Sequence, residues 1–233
     1  GGEHEEWLGM AKIAEDQGDL GKCAEVLRKG LEVCPLNETL LIRAVRLQER
    51  RGDLGAARAL LATTKDAPLP QVWRVAVEGA MMESRAGNTR AARLVLEALV
   101  QALPRHGPIY AEAAKLEEKQ EEWERMGVVL ARGLSHVPKY APLWFSALRL
   151  LQRRGPDGAA AVRRLATHAL EHLSRELAWK VLVEAAQAET RFGHADSARS
   201  AYRAAARRAP ANQRWKVWAG AAHAEITLGN TAG

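Results

Sequence analysis

The chain is poor in several things that many folds and most enzymes depend on. It has only two cysteines, so no disulfide framework can hold its 233 residues together. A helix covering Cys23 and Cys34 would set them ~16 Å apart at 1.5 Å per residue, too far for a bridge, and both read as reduced core residues. No apolar run approaches the ~20 residues of a membrane span, because Arg, Lys or Glu interrupts each one. The start, Gly1-Gly2-Glu3-His4-Glu5-Glu6, is acidic and lacks the basic-then-apolar order of a secretory signal, so nothing supports export. Catalytic motifs are also missing: there is no Gly-rich phosphate loop, no G-x-S-x-G and no clustered Asp/His, and Gly127, Gly133 and Gly158 form no cradle. Neither an enzyme activity, a cofactor nor a small-molecule substrate is therefore expected. His168 and His172 lie four apart, on one helical face, but no third ligand follows at a short zinc-like spacing. The expectation is that they flank a packed helix and hold no metal.

What is present is a 47% hydrophobic content, enough for a core, and 34 basic against 28 acidic residues, a net charge of +6. That excess permits nucleic acid or acidic protein partners without requiring either. Its distribution is uneven. Residues 1–35 hold eight acids and four bases, whereas 36–103, 104–155 and 156–233 run at +3, +3 and +4.

A turn signal recurs along the chain at Gly18-Asp19, Gly52-Asp53, Gly87-Asn88, Glu121-Glu122, Gly155-Pro156, Gly193-His194 and Gly229-Asn230, at intervals of 34 to 38 residues. Eleven residues before most turns stands a large anchor, at Trp7, Leu41, Tyr110, Trp144 and Trp218, with Trp73 and Trp179 one helical turn earlier in theirs. A small residue and an arginine follow several turns, as in Ala57-Arg58, Ala92-Arg93 and Ala198-Arg199. Small residues let two helices approach closely. Prolines at 35, 68, 104, 138 and 210 then end a second helix, since proline lacks an N–H and restricts the residue before it. Only the fifth repeat lacks one. Stretches such as Trp144-Phe145-Ser146-Ala147-Leu148-Arg149-Leu150-Leu151 carry an apolar stripe of helical period.

The unit is a helical hairpin, and the fold class expected is all-α: a right-handed α-solenoid of antiparallel hairpins. One array over 3–229 is expected, with six hairpins plus a further first helix, at roughly 3–35, 36–69, 70–104, 105–138, 139–174, 175–210 and 211–229. Residues 230–233 would begin the next helix, because Gly229-Asn230-Thr231 repeats Gly87-Asn88-Thr89, and the array would be cut there. Trp7, Trp144 and Trp218 are expected in the hairpin core, while Trp123 and Trp215 should be partly exposed.

These features match a tetratricopeptide-type frame and resemble the half-a-tetratricopeptide (HAT) variant, in which an acid follows the aromatic anchor by seven residues. Glu117 and Glu225 satisfy this, and Glu83 and Glu189 match when counted back from their turns. The acid position is Ala14, Gln48 and Leu151 in the other three repeats. The resemblance implies a scaffold in RNA metabolism inside the cell, nuclear by preference, with organellar or cytoplasmic settings as alternatives. It also implies that the first helices line the concave surface.

On that surface, the position two before each turn reads Asp16, Arg50, Arg85, Lys119, Arg153, Arg191, Thr227. Six before the turn stand Lys12, Arg46, Met81, Lys115, Arg149, Gln187 and His223. The two rows lie one above the other on a helix. The candidate binding residues are therefore Arg46, Arg50, Arg85, Lys115, Lys119, Arg149, Arg153 and Arg191. Single-stranded RNA, or a protein of an RNA-processing complex, is the expected partner, with no membrane role. The alternatives are a pure protein-interaction groove for an acidic peptide or helix, homodimerisation, and an ordinary solvated face in which bases complement helix dipoles.

Overall fold

A computed structural model describes residues 2–229, and the expected helix start at 230–233 lies outside them. The described chain contains thirteen α-helices and no strand. It falls into two compact units, Gly1–Pro104 and Arg105–Gly233. The first unit holds α1 (Glu3–Asp16), α2 (Leu20–Val33), α3 (Glu38–Arg50), α4 (Leu54–Ala62), α5 (Leu69–Arg85) and α6 (Thr89–Ala102). The second holds α7 (Gly107–Lys119), α8 (Trp123–His136), α9 (Ala141–Gln152), α10 (Ala159–His172), α11 (Arg175–Arg191), α12 (Ala195–Arg208) and α13 (Arg214–Thr227). Odd-numbered helices are the first helices of the repeats. Each but α13 packs on the helix that follows it, and α3 also packs on α5, α7 on α9, α9 on α11 and α11 on α13.

The turn glycines do what the spacing predicts. Gly18, Gly52, Gly87, Gly155, Gly193 and Gly229 all have φ between 61 and 88°, the left-handed region that glycine enters without steric cost. In most of these turns the next residue's N–H reaches back to the carbonyl five residues earlier, as from Asp19 to Ala14, Asp53 to Gln48 and His194 to Glu189. This closes the helix end with a Schellman bond. The fourth turn has the same bond, from Glu122 to Glu117, but Glu121 occupies the left-handed position, at φ 57°.

Prolines end the second helices as expected in four cases. Cys34, Leu103 and Val137, each before a proline, share one non-helical conformation, with φ from −127 to −135° and ψ from 59 to 71°. The exception is α4, which ends at Ala62, six residues before Pro68. Thr63 and Thr64 bond through their hydroxyls to the carbonyls of Leu60 and Leu61, and their N–H groups bond to the same two carbonyls. Side-chain bonds of this kind compete with the helix ladder. The chain tightens there before it can reach the proline.

Small residues give the close approach. A Cβ on Gly133 of α8 would lie 2.8 Å from Leu143 and 3.0 Å from Tyr110, so the anchor Tyr110 packs directly on the α8 backbone. Trp144 is 1% exposed and donates its indole N–H to the Pro138 carbonyl at 2.7 Å. It centres a cluster with Leu148, Val162, Ala166, Val181 and Ala185. Trp123 is half-buried and Trp215 is 64% exposed, both as expected. Trp218 departs from expectation at 52% exposed. Trp7, Tyr110 and Trp144 pack against the second helix of their own repeat, and no described second helix follows α13. Cys23 is buried, Cys34 half-buried, and both are free thiols; burial pushes the Cys23 thiol up.

Arginines on second helices clamp successive repeats. Arg58 of α4 holds Glu83 of α5, Arg163 of α10 holds Glu189 of α11 at 2.9 and 3.1 Å, and Arg199 of α12 holds Glu225 of α13 at 2.6 and 2.7 Å. Asn88 and His194, each just after its turn glycine, add bonds to Glu83 and Glu189. Where the acid is missing, at Ala14 and Gln48, the residue after the glycine is an aspartate, Asp19 or Asp53, which caps the next helix instead.

Candidate functional site

All eight basic residues expected on the first helices are exposed, but the two units treat them differently. In the first unit each meets a carboxylate. Arg50 bonds to Glu15 of α1. Arg85 grips both oxygens of Glu49 of α3, at 2.7 and 2.8 Å, and also reaches Glu78 at 2.8 Å. Arg46 donates to the other oxygen of Glu78 at 2.6 Å. Glu78 is 7% exposed. Burial alone would raise its carboxyl, and the hydrogen bonds from Arg46 and Arg85 outweigh that and hold it below the usual carboxylate range. The same bonds to Glu49 and Glu78 push the Arg85 guanidinium further up. In this unit the bases join neighbouring first helices, and their charge is spent internally.

The second unit has carboxylates at the same register too, Glu112, Glu118 and Glu184, but only Lys115 of its two basic rows pairs with one of them. Lys115 pairs with Glu112 on its own helix at 2.6 Å. Arg149 donates to the hydroxyl of Ser146, and Arg191 reaches across from α11 to the side-chain carbonyl of Gln152 on α9, a neutral partner at the position held by Glu15 and Glu49 in the first unit. Arg153 lies over the Trp123 ring of α8, 3.5 Å from its centroid, a cation–π contact that leaves its charge unneutralised. Among the described residues Lys119, Arg149, Arg153 and Arg191 have no carboxylate partner.

Overall charge follows this division. Residues 1–104 contain 14 bases and 15 acids, while 105–233 contain 20 bases and 13 acids, so the second unit holds a net +7 and the first −1. The sequence alone marks the register of both rows, and Glu49 and Glu118 are visibly beside the first, where they dilute it. What it does not reveal is that Glu15, Glu49 and Glu78, up to 36 residues from their partners, are within bonding reach.

Residues 2–233 match the family described as PRP6, TPR-like domain. A TPR-containing protein of Dictyostelium discoideum is 42% identical over 196 residues, 84% of this chain. The chain spans about 15% of the length of that relative. Among solved structures, yeast Tom70 superposes with a TM-score of 0.62 over 94% of this chain and 46% of that one, at 13% identity. The pilF protein of Pseudomonas aeruginosa reaches 0.50 over 93% and 96%, at 12% identity. At such identities the likeness is one of fold: stacked helical hairpins, as the turn spacing predicts. With the family description matching nearly end to end and a relative sharing two-fifths of its residues, the chain belongs to the PRP6 TPR-like domain family, a helical-repeat scaffold of the HAT/TPR type.

Proposed function

We propose that this chain is a non-enzymatic scaffold of an RNA-processing assembly, acting in the nucleus, and that its second unit engages the phosphate backbone of single-stranded RNA. One observation carries the binding part: Lys119, Arg149, Arg153 and Arg191 lack carboxylate partners in a unit of net charge +7, whereas Arg46, Arg50 and Arg85 are neutralised by acids of their own unit. The HAT resemblance and the PRP6 family description support the setting. Four phosphate contacts imply a log–log salt slope near −2.8, taking about −0.7 per contact on a single strand. Base preference should be weak, since neutralising the backbone reads no base edges.

A second reading has its own support. In the first unit this face already holds carboxylates, bidentately at Arg85, so an acidic protein segment could take the equivalent places in the second. Fluorescence-anisotropy titration of labelled single-stranded RNA at several salt concentrations decides between them. Salt-dependent binding supports the RNA reading. No binding even at low salt removes it and leaves the protein scaffold.

A further inference from the structure

We infer that His168, Glu171 and His172 on α10 bind one divalent transition-metal ion of the zinc class, through both imidazole Nε2 atoms and the carboxylate. The two Nε2 atoms are 3.1 Å apart, and the Glu171 Oε2 lies 4.0 Å from that of His168. All three ligand atoms fall within 4.8 Å of one another. Zinc–nitrogen bonds of about 2.0–2.1 Å at a near-tetrahedral angle place two nitrogens roughly 3.3 Å apart, so the observed pair needs only a slight opening to take the ion.

The rings are also set in place from behind. Trp144, buried and fixed by its bond to Pro138, stacks against His172 with centroids 5.8 Å apart and planes 19° from parallel, and meets His168 edge-on at 5.3 Å. One rigid indole thus orients both imidazoles, which lowers the ordering cost of forming the site. His168 and Glu171 have side chains 59% and 67% exposed, so the remaining coordination positions are open to water. A set of two imidazoles and one carboxylate suits zinc, nickel or copper, while calcium and magnesium prefer all-oxygen shells. Sequence spacing does not single out this site because the third ligand lies between the histidines rather than beyond them.

Calorimetric titration of the chain with Zn2+ tests the assignment, alongside His168→Gln, an exposed substitution whose melting curve should match that of the parent. The parent should bind one ion that the variant loses by at least the ~10–100-fold that removing even an outer-shell partner costs, and Ca2+ should show no such difference. Paramagnetic Ni2+ should broaden the Trp144 indole resonance before those of the other tryptophans. Equal Zn2+ affinity in parent and variant, no saturable binding in the parent, or broadening that spares Trp144 would each overturn the site.

Discussion

Arg58 of α4 and Glu83 of α5 meet across a repeat junction, the guanidinium Nε and Nη2 donating to the two carboxylate oxygens at 2.7 and 3.0 Å. Arg163 and Glu189 pair at another junction, through Nη1 alone, with one difference that decides their energetics: both arginines are about half exposed, but Glu189 is 1% exposed and Glu83 16%. Arg58→Ala should cost little, as the loss of a solvent-screened pair does. Arg163→Ala leaves the buried Glu189 carboxylate with its His194 contact alone and should cost clearly more, up to ~3 kcal/mol. Urea unfolding of the two variants measures the gap, and equal losses would mean that burial does not govern these clamps.

Glu78 couples stability to pH. Its carboxyl titrates lower in the folded chain than in the unfolded one, so its stabilisation is complete above the unfolded value of about 4.3 and is lost as pH falls through the depressed folded value. Glu78→Gln should therefore be destabilised at neutral pH and lose less stability than the parent between pH ~5 and ~3. Parallel slopes for the two chains over that window would refute this role for Glu78.

Glu121 is the one non-glycine residue with positive φ among the described residues, at a turn where six other repeats have glycine. Because an L-residue there carries ~1–2 kcal/mol of steric cost, Glu121→Gly should stabilise the chain by about 1 kcal/mol after the extra entropy of unfolded glycine is deducted. The readout is the midpoint of chemical denaturation, which should rise with an unchanged m-value.

Trp144→Ala should cost ~3–5 kcal/mol, since it empties the centre of a buried cluster, and Trp215→Ala much less, since that ring is mostly in solvent. If both gave the same loss, the anchor register would be misplaced.

For binding, Lys119, Arg153 and Arg191 changed together to Glu should abolish RNA affinity with little change in melting temperature. Arg85→Glu should do the reverse, because it sets a like charge against Glu49 and Glu78. Anisotropy and thermal melting on the same samples separate the two effects.

The hairpins were legible because glycine and proline restrict the backbone locally, and their spacing alone locates turns and helix ends. The early end of α4 was not, since it arises from two threonine hydroxyls competing for carbonyls one turn back. The basic rows were also legible as positions, for a helix repeats its faces regularly. Their electrostatic state was not: whether Arg50 finds Glu15 depends on the distance between two helices that are 35 residues apart in the chain. The exposure of Trp218 likewise depends on what packs over it, which no local pattern states.

The clamps also bear on how such a chain can be cut and rejoined. At the positions of Arg58 and Glu83, two other junctions have Ala24 with Gln48 and Gly127 with Leu151, lacking base and acid together. Each hairpin therefore owns only half of each junction. Splicing out α9 and α10 would join two intact hairpins and bring Gly127 opposite Glu189, a buried carboxylate with its arginine gone. Hairpins of this chain are interchangeable in shape and not in charge, so the smallest exchangeable module is the seam between two repeats.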